Sequence, residues 1–574
     1  MNYAKEMEAI EQRFISWDGA ELFYRSWLPR NSTYRALLLF HRGHEHSGRW
    51  QEMVDSLDLD DVAIFAWDAR GHGRSPGERG TANSLHDVIK DVDCFARHIS
   101  KEHSIPFENM IVLAHSLAAV TVTAWIHDYA PPIRAMILAT AAFHVKLYIP
   151  FAIPFLRVLR PHFVKSYVKS KMLTHDREQA ARYDCDPFIF RQIAVNVLLD
   201  LHDTAKRLVA DAGAIRTPTL MIGAGKDWVV SLNAQQRFFN RLSSAEKRFE
   251  IFPEAYHAIF HETNRREVVE VIRHFIRAQF ANTAIPQSLL NADQNGYTHD
   301  EFMRLQRNGS LGFAIARAGL KIASRFSKGI EIGSQTGFDS GISLDYVYEN
   351  LPQGLSPVGR LIDAAYLNAI GWRGIRQRKA NLKAVLQRMI KCTAATGRNV
   401  HIIDIAAGTG RYVIETMQEL PNVSISALLR DNSPANAEII RKDAKEFGLK
   451  LVSAEVADAF DREAVARIQP RAMIGIVSGL YELFPSNDLV LNSLRGLAEA
   501  IEPGGYLIYT NQPWHPQLGF IAHVLRNREG ERWIMRRRTT AEMDELVQTA
   551  GFEKIDMEID QWGMFTVSVA RRGR

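Results

Sequence analysis

The chain of 574 residues is predicted to fold in the α/β class, as two parallel-sheet domains with a helical segment between them. Three observations carry that expectation. Short apolar runs alternate with helix-forming stretches, a serine follows one such run in the first half, and a glycine-bearing turn follows another in the second half. The length alone exceeds what one core fills, since single cores stop growing at roughly 250–300 residues.

In the first half, one strand ends before His41-Arg42-Gly43-His44-Glu45-His46-Ser47-Gly48-Arg49-Trp50 and a second before Asp68-Ala69-Arg70-Gly71-His72-Gly73-Arg74-Ser75. Met110-Ile111-Val112-Leu113 then leads into Ser116 and a helix-forming stretch, which puts Ser116 at a tight strand-to-helix turn. Asp227 follows the run Thr219-Leu220-Met221-Ile222, and His257 follows Arg248-Phe249-Glu250-Ile251-Phe252, so both belong near the C-terminal edge of the same sheet, where loops converge. A serine hydroxyl is a poor nucleophile at neutral pH; it needs an imidazole to take its proton and a carboxylate to hold the imidazolium. Ser116, Asp227 and His257 are therefore the candidate catalytic residues of an acyl-transfer enzyme.

These motifs, in this order, resemble the monoacylglycerol lipase and lysophospholipase branch of the α/β-hydrolases from about Phe14 to about Phe280. The resemblance implies an α/β-hydrolase fold over residues 1–283 with a helical cap at about 141–210. It also implies an oxyanion hole made by the backbone N–H groups of Gly43 and Leu117. The chain departs from the family pattern at Ala114 and Ala118, which replace the glycines of G-x-S-x-G, and at Arg42 and His44 in the oxyanion loop. Alanine still permits close backbone approach at the turn. Arg42 has two readings, attraction of an anionic substrate group or a side chain pointing to solvent, and the second is favoured. His44, His46 and His72 are expected to be structural.

The resemblance places the cap after the strand Ala135–Ala139. Here Leu147-Tyr148-Ile149-Pro150-Phe151-Ala152-Ile153-Pro154-Phe155-Leu156 is followed by Arg157, Arg160, Lys165 and Lys169 among apolar residues, with no acid between Lys146 and Lys171. One reading is an acyl-chain entrance resting on an anionic membrane surface; the other is a cap packed only on its own domain. Hydrophobic content of 46%, charged content of 24% and a net charge of +5 mark ordinary globular domains and signal neither nucleic acid nor a membrane span. Charges in the first eight residues argue against a secretion signal. Cys94, Cys185 and Cys392 are too few and too scattered for a disulfide framework or a metal site, so a cytoplasmic setting is expected.

Residues 284–343 read as a polar linker followed by a lid-like helical segment, with a helix from about Leu311 to Phe326 and glycines at 329, 333, 337 and 341 breaking the pattern. Beyond Asn399, Val400-His401-Ile402-Ile403-Asp404 reads as a strand feeding the turn Ala406-Ala407-Gly408-Thr409-Gly410 and a helix. Such a turn lets the backbone approach a nucleotide, and Asp431, after Val423 to Leu429, supplies an acid for ribose hydroxyls. Val413 stands where a dinucleotide motif needs its third glycine, which disfavours a nicotinamide cofactor.

The segment resembles the first motif of class I S-adenosylmethionine-dependent methyltransferases, from about Leu344 to the end, with a Rossmann-like domain over 344–574. Met473 to Ser478 as a fourth strand and Ile501-Glu502-Pro503-Gly504-Gly505 as the turn into a fifth agree with it. The resemblance implies S-adenosyl-L-methionine as cofactor. It places Asp404, Ala406, Gly408 and Gly410 beside the methionine part, Asp431 at the ribose and Asp458 at the adenine. Tyr481 and Glu482, just beyond the fourth strand, are the acceptor-side candidates, and Tyr481 could equally be core. Ser478 to Pro485 lacks the Asn/Asp-Pro-Pro-aromatic motif, so a nucleic-acid acceptor is not expected. Arg526, Arg528, Arg532, Arg536, Arg537 and Arg538 read either as solvated surface or as a phosphate or membrane site ahead of a helix capped by Thr539 and Glu542.

The whole chain resembles bacterial fused α/β-hydrolase and methyltransferase proteins of the YnbC type. That implies hydrolysis of a lysophospholipid or monoacylglycerol ester coupled to methyl transfer onto a lipid-related or small-molecule acceptor. A non-lipid esterase or aminopeptidase, or a lipid-binding scaffold with one inactive site, are the alternatives.

Overall fold

The computed structural model describes residues 7–149, 151–283, 287–307 and 309–573. It divides into two compact units, Met1–Pro286 and Gln287–Arg574.

The first unit is built on ten strands. They are β1 (Ile10–Ile15), β2 (Glu21–Trp27), β3 (Ala36–Phe40), β4 (Ala63–Trp67), β5 (Met110–His115), β6 (Ala135–Ala139), β7 (Phe163–Lys165), β8 (Gln192–Ala194), β9 (Thr219–Ala224) and β10 (Lys247–Phe252). Eight of them form one sheet in the order β1-β2-β4-β3-β5-β6-β9-β10. It is antiparallel through β1, β2 and β4 and parallel beyond. Every residue of β3, β4, β5, β6 and β9 is buried, because helices cover both faces. This is the α/β-hydrolase fold.

The insertion between β6 and β9 carries the helices Ala152–Leu159, Arg177–Cys185 and Val195–Ala210. It also carries a short antiparallel pair, β7 and β8, joined through the helix Arg177–Cys185, which a purely helical cap lacks. The Ala152–Leu159 helix buries only Leu156; Phe151, Phe155, Val158 and Leu159 stand exposed.

The second unit adds β11 (Val400–Asp404), β12 (Ile425–Asp431), β13 (Val452–Val456), β14 (Ala472–Val477), β15 (Ile501–Asn511), β16 (Phe552–Ile559) and β17 (Thr566–Arg572), in the order β13-β12-β11-β14-β15-β17-β16. The first five are parallel, and β17 lies antiparallel between β15 and β16. This is the Rossmann-like class I methyltransferase fold. The chain reverses direction across the sheet between β11 and β14, the switch point where open α/β sheets bind ligands.

From Gln287 on, the segment expected as linker and lid is part of this unit. Asp293 Oδ2 accepts from Asn487 N at 2.8 Å, and Leu305 and Ile330 belong to a buried cluster with Trp372 and Met535. The helix expected over 311–326 runs from Leu311 to Ala323. Gly329 and Gly333 do not break the helical pattern as expected but lie inside the helix Lys328–Thr336. A Cβ at Gly329 would stand 2.6 Å from the Tyr366 ring and one at Gly333 2.4 Å from Phe338, so close aromatic packing accounts for these glycines.

The arginine cluster divides: Arg526 and Arg528 are exposed, in line with a solvated surface, whereas Arg536 to Arg538 depart from it. Arg536, Arg537 and Arg538 are each 1% exposed, neither solvated nor open to a membrane. Arg536 Nη2 donates to Glu542 Oε1 at 2.7 Å, Arg537 Nη1 to the Pro513 carbonyl at 2.6 Å, and Arg538 Nη1 to the Tyr481 carbonyl at 2.6 Å. Arg528 N–H meets Asp339, and Arg532 reaches the carbonyls of Leu305 and Gln306. Five guanidinium donors in a fixed fork suit several main-chain carbonyls at once, which explains why arginines staple these loops. Thr539 caps the Thr540–Thr549 helix by accepting from Glu542 N. Among the described residues no helix is long and apolar enough to cross a membrane.

Candidate active sites

Ser116 joins β5 to the helix Leu117–Tyr129 at φ 59°, ψ −113°, a conformation a non-glycine residue adopts only when held there. Three backbone bonds hold it: Ser116 N donates to the Ala139 carbonyl at 2.9 Å, and the Ser116 carbonyl accepts from Ala142 N at 3.1 Å and from Ala119 N at 3.2 Å. The sharp turn forms with alanines at 114 and 118, both buried.

β9 and β10 deliver the other two side chains. His257 Nε2 lies 2.8 Å from Ser116 Oγ, and His257 Nδ1 lies 2.8 Å from Asp227 Oδ2. Asp227 Oδ1 accepts from the N–H groups of Val229 and Val230 at 2.7 and 2.9 Å. Burial raises the Asp227 carboxyl, but His257 and these two N–H groups outweigh it and hold it below its ordinary value. A carboxylate so held orients the imidazole with Nε2 toward the hydroxyl. Residues separated by 141 positions thus meet within hydrogen-bond reach.

Gly43 and Leu117 face each other beside this turn; a Cβ at Gly43 would lie 3.9 Å from the Leu117 side chain. Among the described residues neither backbone N–H meets an acceptor. Arg42 does not point to solvent. It is 3% exposed, donates to Glu45 Oε1 at 2.9 Å and lies over the Tyr183 ring at 5.0 Å. Its charge is therefore neutralised by Glu45. Asp68 ties the two glycine-rich motifs together, accepting from Ser47 N at 2.5 Å and Arg74 N at 2.8 Å. Burial drives His44 down to about 4 and His72 well below its ordinary value, leaving both neutral. A cleft of about 40 Å³, lined by Gly43, Leu117, Ala118, Thr121 and the cap residue Val197, adjoins the turn.

In the second unit, Gly408 and Gly410 adopt φ 57° and 68° in the turn after β11. A Cβ at Gly408 would meet nothing within 4 Å, whereas one at Gly410 would strike Leu429 at 2.7 Å. Gly408 therefore borders open space and Gly410 packs inward. The space is a cavity of about 920 Å³ lined by Ala406, Gly408, Asp431, Asp458 and Glu482 among others. It sits at the upper end of the roughly 300–1,000 Å³ of small-molecule sites.

Asp431 Oδ2 accepts from Gly408 N at 2.9 Å, and its Oδ1 from Ser433 N and Asn436 Nδ2, each at 2.9 Å, so the acid also shapes the turn. Asp458 Oδ1 accepts from Phe460 N at 2.9 Å. Asp404 lies beneath the turn rather than on the cavity wall: Ala406 N donates to its Oδ1 at 3.1 Å and the Tyr412 hydroxyl to its Oδ2. Burial pushes the Asp404 carboxyl up to about 7. Open space over Gly408, flanked by two acids at the ends of neighbouring strands, fits a nucleoside cofactor.

Of the acceptor-side candidates, Glu482 lines the cavity and Tyr481 does not. Tyr481 is 3% exposed, donates to Ser493 Oγ at 3.0 Å and belongs to the core; the tight turn Tyr481–Leu483 sends adjacent side chains in opposite directions. Two cavity residues went unnoticed in the sequence. Arg378, on the helix Ile370–Ala395, donates from Nη1 to Glu482 Oε1 at 3.4 Å. His515, beyond β15, accepts from Gln517 N at Nδ1 at 3.1 Å, which leaves its proton on Nε2. Neither sits in a local pattern, and only the fold brings them to this wall.

The family model described as "Putative methyltransferase" matches residues 272–572, and that described as serine aminopeptidase, S33, matches residues 31–264. YnbC of Escherichia coli K12 is 46% identical over 98% of both chains. A monoacylglycerol lipase of Mycolicibacterium smegmatis is 24% identical, covering 46% of this chain and 96% of its own length. Human monoglyceride lipase is 24% identical, covering 47% of this chain and 92% of its own.

Proposed function

The chain belongs to the family of YnbC, in which an α/β-hydrolase unit is fused to a methyltransferase-family unit, and from that premise we propose a bifunctional enzyme. The first unit hydrolyses carboxylic esters of the monoacylglycerol or lysophospholipid type. The second is an S-adenosylmethionine-dependent methyltransferase acting on a lipid-related or small-molecule acceptor. The observation that carries the reading is the Ser116–His257–Asp227 chain of 2.8 Å contacts on a strained strand-to-helix turn.

His257 takes the Ser116 proton as Oγ attacks the ester carbonyl, and Asp227 steadies the resulting imidazolium. The N–H groups of Gly43 and Leu117 receive the oxyanion. His257 then returns the proton to the departing alcohol, and a water molecule activated by the same imidazole releases the acid. A lipid substrate suits the cap, whose exposed Phe151, Phe155, Val158 and Leu159 adjoin exposed Arg160, Lys165 and Lys169. Apolar and cationic side chains together favour the surface of an anionic membrane, with the enzyme peripheral on its cytoplasmic face.

In the second unit, Asp431 would hold ribose hydroxyls, Asp458 the adenine, and Ala406 and Gly408 the methionine part, with Asp404 fixing the turn through Ala406 and Tyr412. S-adenosylmethionine, when bound, supplies an electrophilic methyl group. Glu482 and Arg378 lie on the acceptor side.

Purified chain is expected to hydrolyse monoacylglycerol and lysophospholipid, to lose this in Ser116→Ala, and to bind S-adenosylmethionine by calorimetry. Because one matching family is described as an aminopeptidase, aminoacyl amides belong in the same assay. Turnover of those alone would replace the lipid reading, and an inert folded chain would make the first unit a binding scaffold.

A further inference from the structure

The cavity of the second unit is larger than a cofactor site needs, and the part beyond the glycine turn is apolar. Leu320, Ile362, Trp372, Phe520, Leu525 and Trp533 form walls that the nucleotide-contacting residues do not reach. Two of the helices that contribute also carry apolar side chains on their outer faces. Ile315 and Ile322 are exposed on the Leu311–Ala323 helix, and Val358 and Leu361 on the Pro357–Leu367 helix. An acceptor filling this space is elongated and apolar over most of its length.

The polar end of the same cavity presents donors. Arg378 is 7% exposed, lies over the Phe565 ring at 5.2 Å and makes one hydrogen bond among the described residues, 3.4 Å to Glu482. Its Nη2 stands 3.2 Å from where a Cβ on Gly479 would lie, directly after β14 and beside the strand that feeds the glycine turn. His515, 6% exposed, lines the cavity with Nε2 3.1 Å from where a Cβ on Gly371 would lie and no hydrogen-bond partner for it among the described residues, and burial lowers its basicity. Two donor side chains with few protein partners on one cavity wall suit an anionic oxygen. Glu482, the acid beside them, is already engaged with Arg378.

We propose that the methyl acceptor is a long-chain carboxylate, the acid that ester hydrolysis in the first unit releases, with Arg378 and His515 binding its head group and the apolar walls its chain. The inference rests on the methyltransferase reading above. One carboxylate oxygen forms a bond to the methyl carbon as the carbon–sulfur bond breaks, and the electron pair of that bond stays on sulfur. A carboxylate and a sulfonium thereby become a neutral ester and a neutral thioether, and no proton moves. This nucleophile arrives ionised, so the site requires no base.

The test supplies the full chain with methyl-labelled S-adenosylmethionine and free fatty acids from butyrate to palmitate, which bypasses the Ser116 chemistry. Labelled fatty-acid methyl ester is expected, with KM falling roughly fourfold per added methylene while the chain fills the apolar walls. Arg378→Lys is expected to weaken laurate binding at least tenfold by calorimetry, without cofactor present, and to change S-adenosylmethionine affinity less than twofold. If that variant fails to fold, the chain-length series on the unaltered protein decides alone. Cofactor binding with no fatty acid labelled, or a flat chain-length profile, overturns the proposal and leaves the methyltransferase reading intact. Absence of cofactor binding overturns that reading and this one together. Loss of cofactor affinity in Arg378→Lys with laurate binding unchanged would assign Arg378 to the cofactor and remove the anchor.

Discussion

At the scale of single residues, the two sites use buried carboxylates in opposite ways. Asp227 is kept ionised by His257 and two backbone N–H groups, and its charge is what fixes the imidazole. Asp227→Asn keeps the shape and lets the ring adopt the wrong tautomer, so ester hydrolysis measured at saturating substrate should fall by about 10³–10⁴-fold with little change in fold. Asp404 is instead held toward its neutral form by burial, up to about 7 from 3.8. The folded state then keeps a proton that the unfolded state has lost, so stability from this group is full below 3.8 and declines as pH rises to about 7. Denaturant unfolding of the second unit should lose on the order of a few kcal/mol across that window, and Asp404→Asn should flatten the slope. The meeting of Ser116, Asp227 and His257 was legible in sequence because each follows a strand of the same sheet. Arg42 was misjudged because a buried partner three residues on, Glu45, neutralises it, and nothing local distinguishes that pair from a solvated one.

At the scale of elements, the cap and the arginine segment show how similar compositions reach different ends. Both mix cations with apolar residues, yet the Ala152–Leu159 helix leaves its apolar side chains exposed whereas Arg536 to Arg538 are buried. Composition could not separate them, because the difference lies in partners supplied from afar, such as Asn487 and Glu301. Phe151→Ser with Val158→Ser should slow hydrolysis of vesicle-borne monoacylglycerol several-fold while leaving a soluble short-chain ester unaffected; equal losses on both would place these side chains in the packing of the cap instead. Glu542→Ala strips Arg536 of its buried partner and should destabilise the second unit by about 3–5 kcal/mol in denaturant titration. A loss below about 1 kcal/mol would return the cluster to the surface role its sequence suggested.

At the scale of the whole molecule, each unit owns its core: among the described residues one cluster spans Trp27 to Ile276, a small one joins Leu156, Val195 and Leu198 in the insertion, and three lie within 305–570. Two fold classes were readable because parallel strands buried on both faces leave uninterrupted apolar runs, each followed by a turn rich in functional residues. The β7–β8 pair of the cap was not readable, since three-residue strands leave no periodicity to detect, and a single tight turn left Tyr481 open between acceptor side and core. The account turns on Ser116 being a working nucleophile. Treating the full chain with a fluorophosphonate and mapping the adduct by peptide mass spectrometry tests this most directly. Modification confined to Ser116, abolished in Ser116→Ala and strongly slowed in His257→Ala, is the predicted result. A folded chain that stays unmodified, or one modified elsewhere, would contradict it.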